Sequence, residues 1–359
     1  MAKLELGGAQ KVLLDYARRL PYMNYIISGS GGILFEEAER THNHFVIEEL
    51  KREILPLYDL IAVKKVRALL RAFLNKFDYT FLHTHGSKAG IIGRLASANL
   101  SRRLIVFHTV HGFAITPFKP VLENFIYVNA ERIAARFCDK IIFPAKNLIT
   151  KARKWRIGKE SQYIYIPYGI IVPEKVKKER GNRIRIGTVG NFKPQKNPLV
   201  WAFVAKELVR KFRNVEFHYL GDGVLRSKVE EIIGNSPRIY LHGWLKNSYR
   251  WYKKFDVYFL PSRWEGLPLT ILEAMAHKLP VVSSNVDGNT EVVINDLTGY
   301  SCNPDNIECY IYYLSKLINN DKKREKMGEN GREVVRENFS RSKMIKNTSN
   351  LYRTFLSEL

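Results

Sequence analysis

The chain alternates short runs of β-branched and aromatic residues with longer stretches of helical periodicity, and no other feature constrains its fold as strongly. Apolar residues recur at helical spacing in two clear sets, Leu13, Tyr16, Ala17 and Leu20, and Val66, Leu69, Leu70 and Phe73. The strand-like runs lie at 79–85, 104–110, 140–145, 163–169, 183–190, 215–221, 238–243, 257–262 and 279–284. Strands that alternate with helices predict the doubly wound α/β class, in which ligands bind beyond the carboxyl ends of parallel strands.

The segment IVPEKVKKERGNR at 171–183 interrupts this alternation with proline, glycine and a dense run of charge. A chain of 359 residues is long for a single core, so two domains are expected. We predict Rossmann-like domains at 1–174 and 175–340 that face each other across a cleft, with a C-terminal helix at 341–359 packing back toward the N-terminal domain. The glycine pair in MAKLELGGAQ comes early, so either the first strand is very short or the chain starts late.

Charge and composition limit the classes of protein to which the chain can belong. Lys and Arg number 58 against 35 Asp and Glu, a net charge of +23 that favours anionic partners such as nucleic acid, acidic membrane or phosphorylated small molecules. A thermophile's charged surface is the alternative interpretation. The sequence shows neither a membrane-spanning run nor a signal-peptide pattern, so we expect a cytoplasmic protein. Cys138, Cys302 and Cys309 fit no metal or disulfide spacing and are expected to be thiols.

The stretch EGLPLTILE places two carboxylates, Glu265 and Glu273, in an apolar neighbourhood. Pro268 suits the first turn of a helix, and we predict a helix over 269–277 that follows a strand. The amides of residues 266–270 would then point out of a helix N-terminus, which is a ready site for a diphosphate. In the alternative interpretation the two acids are an N-terminal helix charge and a surface residue.

This stretch resembles the E-x7-E region of family 4, the retaining nucleotide-sugar glycosyltransferases with the two-domain GT-B fold. The resemblance runs along almost the whole chain, through LGGAQ (6–10), HTHGSKAGIIGRLA (83–96), HTVHGF (108–113), IPYGI (166–170), VGNFKPQKNP (189–198), LGDG (220–223), LHGWL (241–245) and DGNTEVVINDLTGY (287–300). It implies that Glu273 binds the ribose hydroxyls and that Glu265 reaches the transferred sugar.

The same resemblance assigns roles to residues in four other loops. Lys196 occupies the position of the family's phosphate-binding lysine, while Asn191 stands where the family usually has arginine, a charge that Lys193 could supply. Solvated loop lysines are the alternative for Lys193 and Lys196. The backbone at Trp244 and Leu245 would contact the base, although Trp244 could equally be a packing aromatic.

In the N-terminal half, Gly7 and Gly8 resemble the family's glycine loop near the donor phosphate, with a plain turn as the alternative. His111 corresponds to a histidine that contacts the donor sugar, with a structural role as the alternative. The implied catalytic residues are His111, Lys196 and Glu265. The implied donor-binding residues are Gly7, Gly8, Asn191, Lys196, Trp244, Leu245, Glu265, Gly266, Leu267, Pro268, Leu269, Thr270 and Glu273.

No metal site is predicted, because His83 and His85 lack carboxylate companions. Lys88 and Arg94 could meet an anionic acceptor or brace their helix. The basic stretches 64–77 and 149–159 could rest on an acidic membrane or be ordinary surface helices.

We therefore expect a metal-independent, retaining glycosyltransferase without a cofactor. It would move a hexose or N-acetylhexosamine from a UDP-sugar to a glycan or polyprenyl-diphosphate-linked acceptor in cell-surface polysaccharide synthesis, and the motifs look most like the capsule and exopolysaccharide branch. Such an enzyme would be cytoplasmic and peripheral on the inner face of the membrane. A UDP-N-acetylglucosamine 2-epimerase-like enzyme is the alternative; a nucleic-acid-binding protein is a weaker one, because interleaved aromatic and basic residues are absent.

Overall fold

The computed structural model describes residues 1–5, 7–41, 43–179, 181–245 and 247–357. Leu6 of the LGGAQ motif, Arg180 of the predicted linker and the last two residues of the predicted C-terminal segment lie outside the described residues.

The chain divides into two compact units. The first unit comprises Met1–Pro167 and Met344–Leu359, and the second comprises Tyr168–Lys343. The division falls after Pro167 rather than after the predicted position 174. Ile170 belongs with the second unit because its N–H donates to the Phe339 carbonyl (2.9 Å) and its carbonyl accepts from the Arg341 N–H (2.8 Å).

The first unit contains two parallel sheets. Its strands are β1 (Tyr25–Ser28), β2 (Asn43–Val46), β3 (Thr80–His85), β4 (Leu104–Thr109), β5 (Lys140–Phe143) and β6 (Tyr163–Tyr165). β1 pairs with β2 in one sheet, and β3 to β6 follow each other in sequence order in the other. Its helices are α1 (Gly8–Arg19), α2 (Phe35–Thr41), α3 (Pro56–Lys76), α4 (Ser87–Ser97), α5 (Val121–Ala135) and α6 (Lys146–Lys154).

The second unit is built on one six-stranded parallel sheet. Its strands are β7 (Ile184–Val189), β8 (Val215–Leu220), β9 (Ile239–Leu241), β10 (Val257–Leu260), β11 (Val281–Ser284) and β12 (Gly299–Cys302). Its helices are α7 (Pro198–Lys211), α8 (Arg226–Ile233), α9 (Leu269–Ala276), α10 (Asn289–Val292), α11 (Ile307–Ile318) and α12 (Asp321–Asn338), and α13 (Arg341–Ser357) follows.

The strand order in this sheet is β12-β11-β10-β7-β8-β9. The chain therefore builds outward from β7 in one direction and then from β10 in the other, which makes the boundary between β7 and β10 the topological switch point. Ligands of doubly wound sheets bind at such a point, outside the carboxyl ends of the strands. The predicted doubly wound class is confirmed.

The strands at the switch point rest on a closely packed apolar core. Gly187 in β7 admits the Phe255 ring, since a Cβ there would lie 2.1 Å from the ring. The core of the unit continues through fully buried Trp201 and Phe217, whose rings meet edge to face at 5.9 Å. Burial on both faces explains why these strands read as continuous apolar runs.

The nine predicted strand runs all contain observed strands, but β1, β2 and β12 were missed. Each of the three is only four residues long, and each includes polar residues such as Ser28, Asn43 and Ser301. Short strands of mixed polarity give too few repeats for a periodic signal.

The prediction that all three cysteines are thiols is wrong for two of them. Cys302 and Cys309 form a disulfide with their Cα atoms 6.0 Å apart, whereas Cys138 is free and buried. The turn between the end of β12 and the first turn of α11 brings the pair together, a local geometry that spacing rules do not capture.

Candidate functional site

Two loops meet at the switch point of the second unit, one after β7 and one after β10. The Arg263 N–H donates to the Gln195 carbonyl (2.8 Å), and the Gln195 side-chain amide donates to the Trp264 carbonyl (3.1 Å). These reciprocal bonds hold Lys196 beside Glu265, with Nζ and Oε1 2.5 Å apart. The side chains are only 15% and 6% exposed, so neither the predicted lysine nor the predicted glutamate is an ordinary solvated charge.

A third loop, after β11, fixes the position of Glu265. Its backbone N–H donates to Asp287 Oδ2 (3.1 Å), and the Gly288 N–H donates to the Gly266 carbonyl (2.9 Å). A Cβ at Gly288 would lie 2.2 Å from that carbonyl oxygen, so only glycine permits this approach. The Glu265 backbone is thus bonded to a buried carboxylate, and the next residue, Gly266, is bonded to the backbone of the same loop.

The disulfide-closed turn between β12 and α11 braces the same two loops. The Asn197 side-chain amide donates to the Pro304 carbonyl (2.9 Å) and to Asp305 Oδ1 (3.1 Å). Arg263 donates to the same Asp305 oxygen (3.2 Å). Asn197 adopts a left-handed conformation with φ of +50°, which turns the chain directly from Lys196 into α7.

Helix α9 follows Glu265 after the short segment 266–268. Pro268 is its N-cap residue and the helix runs over Leu269–Ala276, one residue shorter than predicted. The first amides of any helix lack carbonyl partners within it and carry a partial positive charge. Residues 265–269 are buried, so these amides lie at a recessed point of the unit rather than on an open surface.

Glu273 lies in the second turn of α9 and is 8% exposed. The Tyr252 hydroxyl donates to its Oε2 (2.7 Å). Burial, reinforced by the Glu273 charge, raises the pKa of the Tyr252 phenol well above its usual value and keeps it a donor. A carboxylate has about four lone-pair directions, so Glu273 can accept from further hydroxyls as well.

Asn191 follows β7, next to Gly190. Its side-chain Oδ1 is buried and, among the described residues, has no hydrogen-bond partner. A buried acceptor without a donor is costly, and a ligand N–H or O–H would satisfy it.

The predicted base-contact loop follows β9 at the far edge of the sheet. Trp244 is 50% exposed, and Leu245 is partly buried. The Gly243 carbonyl accepts from the Gly221 N–H (2.8 Å), which ties this loop to the one after β8.

The remaining predicted site residues, Gly7, Gly8 and His111, belong to the first unit. Gly7 caps α1, and Gly8 is its first residue. His111 Nε2 lies 2.9 Å from His85 Nδ1, at the end of a row in which His85 also stacks on His83 (4.3 Å). Burial lowers the pKa of His83 and of His111 to about 3 and that of His85 well below its usual value, so these rings are neutral hydrogen-bonding groups near pH 7.

The described residues contain no group of three or more His, Cys, Asp or Glu side chains placed to hold a metal ion. Arg94 is fully buried and donates to Glu131 (2.6 Å) and the Gly90 carbonyl (2.9 Å). Lys88 is paired with Asp59 (2.7 Å). Of the two interpretations left open for these cations, their contacts favour bracing α4.

Sequence reasoning missed Gln195, Asp287 and Tyr252 as positioning residues. Gln195 and Asp287 lie within motifs that were noticed, next to Lys196 and at the start of DGNTEVV, but only their contacts show what they hold. Tyr252 lies 21 residues before Glu273, in a 3₁₀ segment that carries no sequence signal for a site.

Family models match both halves of the chain. The model described as "Glycosyltransferase Family 4" matches residues 6–172, and the model described as "Glycosyl transferases group 1" matches residues 173–334. The chain belongs to glycosyltransferase family 4.

Curated relatives of the chain are also glycosyltransferases. A UDP-Gal:alpha-D-GlcNAc-diphosphoundecaprenol alpha-1,3-galactosyltransferase of Escherichia coli is 29% identical, over 97% of this chain and 94% of its own. The capsular polysaccharide biosynthesis glycosyltransferase CapM of Staphylococcus aureus is 25% identical, over 96% of this chain and 93% of its own. The predicted likeness to the capsule and exopolysaccharide branch is confirmed.

Solved structures share the fold at low identity. An Anabaena HepE structure in complex with UDP and glucose has a TM-score of 0.79 at 18% identity, covering 100% of this chain and 98% of its own. A sucrose-phosphate synthase from Thermosynechococcus elongatus has a TM-score of 0.81 at 18% identity, covering 100% and 96%. These likenesses confirm the GT-B fold expected for this glycosyltransferase.

Proposed function

We propose that this family 4 glycosyltransferase moves a hexose or N-acetylhexosamine from a UDP-sugar to a glycan or polyprenyl-diphosphate-linked acceptor in cell-surface polysaccharide synthesis, with retention of anomeric configuration. The observation that carries the proposal is the recessed Lys196–Glu265 pair at the switch point, beside the N-terminus of α9. The E. coli relative uses a UDP-sugar and a diphosphoundecaprenol-linked acceptor by its name, and the HepE structure contains UDP and glucose.

Each group would bind one part of the donor. The amides at the start of α9 and the Lys196 ammonium would bind the diphosphate, since both carry positive charge into a recessed position. Glu273 would accept from the ribose hydroxyls and Glu265 from hydroxyls of the sugar. The Asn191 side-chain oxygen would accept a hydrogen bond from the donor, and the backbone at Trp244 and Leu245 would contact the base.

In the proposed reaction, an acceptor hydroxyl attacks the anomeric carbon from the face on which the diphosphate leaves. The bond from that carbon to the acceptor oxygen forms as the bond to the phosphate oxygen breaks, and the acceptor proton passes to the departing phosphate. Lys196 and the helix amides would stabilise the charge that develops on the diphosphate, so no metal or cofactor is assigned a role. Gly7 and Gly8 would let the backbone approach the donor, and neutral His111 would hydrogen-bond the sugar.

A release assay tests this function. Purified enzyme is incubated with UDP-, GDP- and ADP-sugars in the presence and absence of polyprenyl-diphosphate sugar acceptors, with and without EDTA. We expect UDP release that requires the acceptor and persists in EDTA. No release across the panel would contradict transfer, and conversion of the donor sugar without acceptor would indicate the epimerase instead.

We also propose that the enzyme acts as a peripheral protein on the acidic inner face of the membrane. Among the described residues, no helix is both long and apolar enough to cross a bilayer. Val121, Leu122 and Phe125 on α5 are nevertheless 86%, 70% and 65% exposed. The basic helix α6 lies beside the end of α5, where Arg132 Nε donates to the Trp155 carbonyl (2.7 Å).

α5 thus carries an exposed apolar face near its start, and the basic helix α6 lies at its other end. Exposed apolar side chains together with cations are the chemistry that holds proteins on anionic lipid. Such attachment would bring the enzyme to a lipid-linked acceptor. We call Phe118, Val121, Leu122, Phe125 and Ile126 the α5 face.

A further inference from the structure

Strands β7 and β10 part at their carboxyl ends, at the switch point of the second unit. Over the described part of the chain, their register ends at the pair of Gly187 and Tyr258. Each strand continues further on its other side, since β7 pairs with β8 as far as Val189 and β10 pairs with β11 as far as Leu260. The two strands therefore separate from each other while each stays in the sheet.

The sequence explains why this ladder stops. In a parallel ladder, the bonds after Gly187 would join Val189 to the residues on either side of Leu260. These residues are Phe259 and Pro261, and a proline has no N–H that could donate to the Val189 carbonyl. The ladder between β7 and β10 therefore cannot continue with its full set of bonds.

Two side-chain hydroxyls bond the backbone groups that the ladder leaves unpaired. The Tyr258 hydroxyl donates to the Val189 carbonyl (3.2 Å) and accepts from the Val189 N–H (3.3 Å). The Thr188 hydroxyl donates to the Phe259 carbonyl (2.6 Å), which a continuing ladder would offer to Val189. Both side chains are fully buried, and burial raises the pKa of the Tyr258 phenol above its usual value, so this hydroxyl keeps its proton and donates.

The end of β7 supports Lys196. Gly190 follows Val189, and a Cβ at Gly190 would lie 3.5 Å from Cγ of Lys196. The stem of the lysine thus packs on backbone that adjoins the residue held by the Tyr258 hydroxyl. Its ammonium lies 2.5 Å from Glu265, in the loop that leaves β10. The separation of the two strands therefore bears on where this lysine lies.

We propose that Tyr258 and Thr188 are positioning residues for the donor: their hydroxyls hold β7 and β10 apart beyond Gly187 and so set the position of Lys196 against the diphosphate. The inference rests on the donor site proposed above and adds two residues to it. Both are buried, and they act on the donor through Lys196 rather than by contact with it.

Loss of each hydroxyl is expected to change the separation differently. Without the Tyr258 hydroxyl, the N–H and carbonyl of Val189 lose a partner, and the end of β7 is held less firmly. Without the Thr188 hydroxyl, the Phe259 carbonyl can accept from the Val189 N–H, and this further ladder bond would draw the strands toward the usual spacing of about 4.8 Å. Both changes displace Lys196, but the second replaces the bond that is lost.

Conservative variants test the proposal. Thr188→Val should weaken UDP binding at least about fivefold, with the unfolding temperature of the second unit unchanged or raised. Tyr258→Phe should weaken UDP binding by a similar factor and lower the unfolding temperature by a few degrees. Titration calorimetry and differential scanning calorimetry measure the two quantities.

Matched controls come from the edge of the same sheet. Thr298 and Tyr300 are also fully buried, and their hydroxyls donate to the Val292 carbonyl (2.9 Å) and to Asp296 (2.8 Å). Thr298→Val and Tyr300→Phe should lower the unfolding temperature and leave the affinity for UDP as in the parent protein. Equal losses of UDP affinity in these controls would overturn the proposal, because affinity would then follow stability alone.

A double-mutant cycle with Lys196→Ala separates positioning from a general loss of stability. Because Tyr258 is inferred to act through Lys196, Tyr258→Phe should weaken UDP binding little further in the Lys196→Ala protein. Full additivity of the two effects would overturn the proposal, and so would parental UDP affinity in both Thr188→Val and Tyr258→Phe. Failure of the parent protein itself to bind UDP would overturn the proposed function, and this inference with it.

Discussion

At the scale of single residues, the site depends on charges held where water is largely excluded. Lys196 and Glu265 are adjacent at 2.5 Å, and each is positioned by backbone contacts of its own loop. An ion pair with this little exposure is sensitive to the loss of either partner, because the remaining charge is left without compensation. Substitutions here should therefore separate binding roles from structural ones.

Replacing Lys196 with Ala should weaken UDP binding and slow transfer. Loss of one charge-assisted contact to a diphosphate corresponds to about 2 kcal/mol, or about 30-fold in kcat/KM. Titration calorimetry with UDP and the release assay measure the two effects. Lys228→Ala, an exposed lysine of the same unit, is the control and should behave like the parent enzyme. Unchanged UDP affinity in Lys196→Ala would contradict the diphosphate role.

Replacing Glu273 with Gln should reduce UDP affinity by about 10-fold, because a neutral amide accepts more weakly from ribose hydroxyls. The Gln oxygen can still accept from Tyr252, so stability should change little. Binding of 2′-deoxy-UDP to the parent and to the variant provides the comparison. The affinity gap between UDP and 2′-deoxy-UDP should shrink in Glu273→Gln, and a gap of undiminished size would argue against ribose contact by this residue.

At the scale of secondary-structure elements, β3 and β4 end in a row of neutral histidines. Thr84 and His108 make contact at 2.9 Å on the face of the sheet opposite to His83 and His85, and burial lowers the pKa of His108 well below its usual value. Ordinary histidine in an unfolded chain has a pKa near 6.5. The unfolded chain therefore binds more protons than the folded one as the pH falls below that value.

This difference predicts acid sensitivity of the first unit. The stability that comes from keeping His83 neutral is fully present above pH 6.5 and is lost as the pH falls toward its folded pKa of about 3. Urea unfolding between pH 7 and pH 4.5 should show a free energy of unfolding that falls with acidity. In His83→Gln the free energy of unfolding should fall less steeply with acidity than in the parent, by about 1.4 kcal/mol per pH unit. An identical slope in the variant would contradict this titration.

The α5 face predicts attachment to anionic lipid. The double variant Leu122→Ser and Phe125→Ser should sediment with phosphatidylglycerol vesicles at least about 10-fold less than the parent, because it loses two exposed apolar side chains worth roughly 1.5–3 kcal/mol each when buried. Tyr312→Ser, which removes an exposed aromatic from the second unit, is the matched control. UDP release with a water-soluble acceptor should be unchanged in all three proteins. Equal sedimentation of the double variant and the parent would rule out this face as the attachment surface.

At the scale of the whole molecule, the chain forms two units that share one helix. α13 begins in the second unit, and its residues from Met344 belong to the first. Tyr352 is 4% exposed, stacks on Phe81 and Phe107, and makes a 2.6 Å hydrogen bond with His83. The C-terminal segment is thus part of the core of a unit whose other residues lie about 180 or more positions earlier.

Removing this side chain should destabilise one unit selectively. Tyr352→Ala should cost the first unit about 3–5 kcal/mol, the range for truncating a buried aromatic residue. Differential scanning calorimetry should show the transition of the first unit at lower temperature and that of the second unchanged. Arg353→Ala, an exposed neighbour on the same helix, should leave both transitions in place. A uniform shift of both transitions would show that the units do not unfold separately.

The sequence by itself determined the class of fold, the positions of nine of the strands along the chain and the helix that includes the second half of EGLPLTILE. Alternating periodicity is a local property, and local patterns such as a proline at a helix start are visible in any unfolded chain. The motif order also determined the family, because each motif marks a loop that leaves a strand. Glu265, Glu273 and Lys196 could be named from those loops, although whether their side chains were solvated could not.

Only the tertiary structure decided which of those loops meet. Gln195 and Trp264 are 69 residues apart in sequence, and their hydrogen bond exists because β7 and β10 are neighbours in the sheet. The Cys302–Cys309 disulfide, the paired state of Arg94 and the bonds of the Tyr258 hydroxyl to Val189 depend in the same way on contacts between distant elements. Such contacts arise from packing of the whole chain, which periodicity and spacing do not encode.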